Sequence, residues 1–279
     1  MDTVGLILLF FISRHCWLSF AVLLCLAAPV ARADAPNPAS ETPTTAVQLG
    51  AADWAPYFYG GRSDGPPGSA VEIFEICLPP LGYTPEFIPA TVDEVFSGLR
   101  SGRFQVHVLS YRAERESFLT YGDEPMFYSG YRPFVRPGLK LEDNGPEALD
   151  GLRLAHRRGM KYSKSFDAYM SRRMAGGDVL VVESDTEGLQ AVADGRIDAV
   201  PLMLSTALHH RRRLGLESRV EVLLDFDLKT AGYRVAVAKN QNVIDDVAAF
   251  LQGVDACLRQ IKEDGRYQEI GERYADLGD

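Results

Sequence analysis

Ser110, Arg112 and Arg115 stand close together in the stretch "LSYRAERESF". A guanidinium can hold a carboxylate through two parallel hydrogen bonds, and a serine hydroxyl can add a third. The residue types are those of an anion clamp, and equally of a solvated charge run, because Glu114 and Glu116 alternate with the arginines. Other chemical signals are thin. In "HHRRRLG", His209 and His210 have no third ligand at zinc spacing, and adjacent helical side chains point apart, so the segment reads as a solvated basic helix end. His107 and His156, within and after apolar runs, read as structural. No nucleophile elbow, phosphate loop or calcium loop occurs, and no metal or cofactor is expected.

The element that must position Ser110 is a strand over residues 104–109. Ligands of open α/β sheets sit at the carboxyl ends of strands, so the residues just beyond are placed to face a cleft. Residues 46–50 and 83–88 read as further strands. Residues 70–78 put Val71, Phe74 and Leu78 on one helical face and stop at Pro79-Pro80. This alternation predicts a parallel sheet flanked by helices. One helix-to-strand unit occurs twice, over residues 91–106 and 184–199. Each copy opens with a hydroxyl cap and a glutamate three residues later, and each stops at a glycine followed by arginine. Two copies suit two similar lobes with a ligand cleft between them.

Residues 1–33 read as a cleaved export signal. Arg14 and His15 precede the apolar stretch 16–30, and Ala31-Arg32-Ala33 supplies the small residues the peptidase requires. The additional apolar stretch 4–12 leaves a retained anchor as the alternative. Residues 34–45, rich in Pro, Ser and Thr, form a flexible tether. Without Asp2, Arg14 and Arg32, the totals of 29 basic and 38 acidic residues become 27 and 37, a net charge of −10. That balance argues against nucleic acid, whose phosphates demand a basic face. Cys77 and Cys257 remain after export, either bridged or as two buried thiols.

Four segments, in this order and spacing, resemble the family 3 extracellular solute-binding proteins that serve polar amino-acid ABC importers. They are "GAADWAPYFY", "LSYRAERESFLTYGDEPMFYSG", "ADGRIDAV" and "EDGRYQEIGERYAD", and the resemblance covers about residues 47–274. It implies an α/β, two-lobed periplasmic binding protein fold of type II, each lobe a mainly parallel sheet flanked by helices. Residues 46–130 and 231–279 would form lobe 1 and residues 131–230 lobe 2, with hinge segments near 131–135 and 233–236. It further implies that Arg115 binds a ligand carboxylate, that Ser110 assists and that Trp54 stacks on the ligand, while Arg112 faces solvent. Cys77 and Cys257 would share lobe 1, which favours a bridge.

The sequence departs from that family at two positions. Met203 stands where an aspartate takes the ligand ammonium, and a buried ammonium without a partner charge costs several kcal/mol. Gly159 keeps its place, but Met160 and Lys161 replace small hydroxyl residues at a helix start that already favours anions. The expected function is therefore a periplasmic receptor, monomeric, that holds a small carboxylate between Arg115 and Lys161 and delivers it to a membrane permease. Asp53 is the residue that could restore the missing acid. Two alternatives are a dehydratase-like enzyme using Lys161 with Asp53 or Glu124, and a sensory or accessory component.

Overall fold

The computed structural model describes residues 44–60 and 66–275; the expected export signal, and the tether up to residue 43, lie outside them. The chain runs β1 (Thr45–Ala51), β2 (Asp53–Trp54), β3 (Phe58–Tyr59), α1 (Ser69–Cys77), β4 (Tyr83–Pro89), α2 (Val92–Ser101), β5 (Val106–Ser110) and β6 (Leu119–Val135). It continues through β7 (Leu154–Arg157), α3 (Lys164–Ala175), β8 (Val179–Val182), α4 (Asp185–Ala193), β9 (Ala199–Met203) and α5 (Leu204–Arg213). The last elements are β10 (Glu221–Val222), β11 (Lys229–Ala238), α6 (Val247–Glu263) and α7 (Arg266–Ala275).

Local chemistry sets several of these boundaries. Thr91 accepts from the Glu94 amide, and the Glu94 carboxylate accepts from the Thr91 amide at 2.7 Å, so the predicted capping box opens α2. Gly102 closes it at φ 82°, where a Cβ would collide with the Asn240 carbonyl oxygen. The second unit differs. Ser184 caps α4 by accepting from the Glu187 amide at 3.1 Å, but the Glu187 carboxylate accepts from Glu183 at 2.8 Å and not from Ser184. The return bond therefore reaches one residue further back.

Parallel pairing joins β1 to β4 and β9 to β7 to β8. The long strands β6 and β11 pair antiparallel with each other, and they place β5 and β9 antiparallel on their flanks. The sheet order β5-β11-β6-β9-β7-β8 is therefore mixed, not mainly parallel. The reason is that β6 and β11 cross from one group of elements to the other in opposite directions.

Among the described residues, buried apolar side chains form four clusters. Two are built from β1, α1, β5, β11 and α6, and from α2 with residues 104–119 and 236–238. The other two are built from β7, β9, α4 and α5, and from α3 with Phe226 and Leu228. Cys77 of α1 and Cys257 of α6 form a disulfide across 180 residues of sequence. Asp198, just before β9, accepts from the Arg153 amide and both arginines, Arg153 and Arg136. These hydrogen bonds, led by Arg153, hold its carboxyl down at about 2. No helix among the described residues is long and apolar enough to cross a membrane.

Candidate ligand-binding site

Tyr233 of β11 is the centre on which several predicted site residues meet. It lies opposite Ser110 in the β11–β5 register. Its ring is 5.5 Å from Trp54 and 4.9 Å from Phe127, and its hydroxyl donates to the Met203 sulfur at 3.8 Å. Trp54, held by the short β2–β3 ribbon, also packs on Tyr57 at 4.9 Å and Phe127 at 5.8 Å. Met203 ends β9 opposite Tyr131 and is 6% exposed. Burial pushes the Tyr131 and Tyr233 hydroxyls up, so both remain neutral donors at physiological pH.

Arg115 lies beside Ser110, whereas Arg112 does not take the solvent position expected of it. Arg115 lies within the short 3-10 turn Ala113–Ser117 and donates to the Ser110 carbonyl at 2.9 Å and to its hydroxyl at 3.4 Å. Its guanidinium rests 4.8 Å over the Phe96 ring. Arg112, expected in solvent, is 26% exposed, and its Nε is buried without a hydrogen-bond partner. With Lys161 and Lys229 it lines a pocket of about 390 Å³, together with Glu114, Tyr162 and Asp167. Lys161 and Arg112 thus border one pocket, which Arg115 does not line. The physical reason is local: Arg112 keeps extended backbone at φ −148° and ψ 128° before the turn begins, so its side chain leaves in a different direction from that of Arg115.

The opposite wall comes from the approach to α3. Ser163 caps that helix, and Asp167 in its first turn accepts from the Tyr162 amide at 2.9 Å. Gly159 takes φ 80° in the turn that leads there. Lys161 is exposed two residues before the cap. Lys229, at the start of β11, has its pKa lowered by burial and by the neighbouring Arg112 charge. Tyr131 and Tyr162 meet edge to face at 5.2 Å, and His156 lies 5.9 Å from Tyr162.

Sequence reasoning missed a buried ion pair beside these tyrosines. Asp185, the first residue of α4, is 4% exposed and lies 3.1 Å from the Arg157 guanidinium. Its Oδ1 nevertheless lacks an aligned hydrogen bond, and burial raises its pKa although Arg157 opposes that. Arg157 Nε and His156 Nδ1 are likewise buried without partners. Native proteins rarely leave such atoms unsatisfied, so the cluster around Tyr131 and Tyr162 has unused hydrogen-bonding capacity. A signal for it was present in "AHRRG", an apolar strand ending in two arginines.

The two acids considered for an enzyme, Glu124 and Asp53, do not line the Arg112 pocket. Glu124 accepts from Lys262 of α6 and lies 4.0 Å from Arg259. Asp53 is exposed on β2, and its charge acts on Tyr59, His209 and His210. His209, expected at a solvated helix end, is 8% exposed, whereas residues 212–215 are exposed. His107 has its ring nitrogens against the Val108 and Gly50 carbonyls.

With a mixed sheet crossed by two long strands and a polar pocket beside the crossing, the architecture is that of a periplasmic binding protein. Residues 47–277 match the bacterial extracellular solute-binding proteins, family 3, and the chain belongs to that family. A probable amino-acid ABC transporter-binding protein of Haemophilus influenzae is 24% identical over 232 residues, 78% of this chain and 79% of the relative. A histidine kinase sensor domain similar to periplasmic binding proteins superposes with a TM-score of 0.63 at 22% identity, over 84% of this chain and 96% of that one. An amino-acid ABC transporter substrate-binding protein of Streptococcus pneumoniae, bound to L-arginine, superposes with a TM-score of 0.61 at 17% identity, over 84% and 96%.

Proposed function

We propose that this solute-binding protein is exported to the periplasm, captures a small carboxylate anion and presents it to the permease of an ABC importer. The observation that carries the ligand class is the convergence of Arg112, Lys161 and Lys229 on one pocket, with the Arg112 Nε buried and unpaired. Met203 supports it, because an apolar thioether cannot neutralise a ligand ammonium. Trp54 and Tyr233 offer aromatic faces beside the Ser110 hydroxyl.

Capture proceeds by closure of two lobes, residues 46–130 with 231–279 and residues 131–230, about a hinge in β6 and β11. The four apolar clusters support that division, since two draw chiefly on the first set of residues and two on the second. Lys161 approaches from one lobe and Arg112 from the other, so an anion between them favours the closed state. A dehydratase-like activity finds little support, because Glu124 is already engaged by Lys262.

The test is a thermal-shift screen against dicarboxylates, aromatic acids and amino acids, with Arg112→Ala in parallel. A ligand at a hundred times its dissociation constant stabilises the folded state by about 2.7 kcal/mol. That corresponds to a rise on the order of 5 to 10 °C for a chain of this size. A rise with an anion, lost in Arg112→Ala, is the expected result. A rise with lysine or arginine and with no anion would overturn the assignment.

A further inference from the structure

A second cavity of about 330 Å³ shares no lining residue with the Arg112 pocket. Its walls are Ile73 of α1, Ile270 and Tyr274 of α7, Leu208 of α5 and the Tyr57–Phe127 pair, whose rings stack at 3.8 Å. Walls this apolar and aromatic, in a volume of this size, suit a small ring. Two polar groups give the cavity direction. Arg212 lines it and makes no ion pair among the described residues. His209 also lines it, is 8% exposed and has a buried Nε2 without a hydrogen-bond partner.

We propose that this cavity is a second ligand site, taking a small aromatic monocarboxylate whose ring lies against Tyr57, Phe127 and Ile270 and whose carboxylate meets Arg212. A single guanidinium matches a single carboxylate through two hydrogen bonds. His209 adds no second charge, because burial and the nearby His210, Arg213 and Arg212 push it down to about 4; Asp53 opposes them. Its free ring nitrogen is then a neutral hydrogen-bonding group beside the carboxylate.

The site bears on the cleft through shared aromatic residues. Tyr57 and Phe127 line the cavity and also pack on Trp54, at 4.9 and 5.8 Å. Tyr57 additionally donates to Ser205 at 2.8 Å, which lies 3.1 Å from Ser129. A ring bound there fixes Tyr57 and Phe127, and with them the position of Trp54. The cavity is also walled by α5 on one side and by α1 and α7 on the other, so its occupant resists their separation.

Trp17 and Trp54 are the only tryptophans of the chain, so in the full chain carrying Trp17→Phe the emission reports on Trp54 alone. Phenylacetate is titrated into this protein and into three further variants of it. The expected result is a saturable change in Trp54 emission. Its dissociation constant rises about tenfold or more in Arg212→Ala, as loss of a charge-assisted pair requires. The change is absent in the cavity-filling Ile270→Phe and persists in Arg112→Ala. No saturable change, a change indifferent to Arg212→Ala, or a change lost in Arg112→Ala would each overturn the proposal; the last would put the probe in the Arg112 pocket. Arg212 is exposed, so its variant keeps the fold and its result stands whether or not Ile270→Phe folds.

Discussion

Arg112 and Arg115 are three residues apart and serve different ends because a turn begins between them. Arg115 spends hydrogen bonds on Ser110 and packs over Phe96, holding the segment after β5 in place. Arg112 retains a buried Nε with no partner and faces Lys161 and Lys229. Burial, and after it the Arg112 charge, lower the Lys229 pKa, while Asp167 and Glu114 oppose them. The anionic ligand proposed above would supply an acceptor for the Arg112 Nε. The two arginines are separable by mutation. Arg115→Ala is expected to lower stability by about 1 to 2 kcal/mol through the lost bonds to Ser110, measured by urea unfolding. A stability equal to that of the parent would show that Arg115 does not hold the segment.

Among the elements, β6 and β11 do most to place the site. β6 runs for 17 residues, pairing with β11 along most of its length and with β9 at its end. It therefore brings Phe127 beside Trp54 and Tyr131 beside Met203 within one strand. The helices behind this strand are tied by Cys77–Cys257, which joins α1 to α6 across 180 residues. A crosslink over so long a loop restricts the unfolded chain strongly, worth about 2 to 5 kcal/mol. The Cys77→Ala, Cys257→Ala double variant should accordingly melt roughly 4 to 20 °C lower in calorimetry. An unchanged melting temperature would mean that the bridge does not form in the protein in solution.

At the scale of the whole molecule, acid should unfold the chain in two stages. His107, His156, His209 and His210 all have pKa values below the usual histidine value, with burial the leading cause in each. A histidine whose pKa is depressed by folding binds its proton more readily when unfolded. Stability is thus intact above about pH 6.5 and falls as the pH drops toward the folded value, about 4 for His209. Asp198 follows the same direction lower down. Its contribution is present above the ordinary value of 3.8 and is lost as the pH falls toward about 2. Urea unfolding from about pH 7 to 3 should show a decline beginning below pH 6.5, reduced in His209→Gln. A flat profile down to pH 4 would contradict the burial of these rings.

The sequence alone determined the helix-to-strand units, the Thr91 capping box, the glycine stop at Gly102 and the family, because these depend on residues a few positions apart. Caps and apolar periods are local, and motif spacing survives in one dimension. The resemblance singled out Ser110, Trp54 and Met203, and the fold sets all three beside Tyr233. Only the tertiary structure decided which arginine enters the pocket, since that turns on a backbone change between residues 112 and 113 that no side-chain pattern announces. It alone brought Lys229 and Lys161 to Arg112, and Asp185 to Arg157, from segments far apart in the chain. It also made the sheet mixed, because the direction in which β6 and β11 cross is a property of the packed whole. The burial of His209 has the same origin: an amphipathic helix end reads as solvated until α5 is laid against Tyr59.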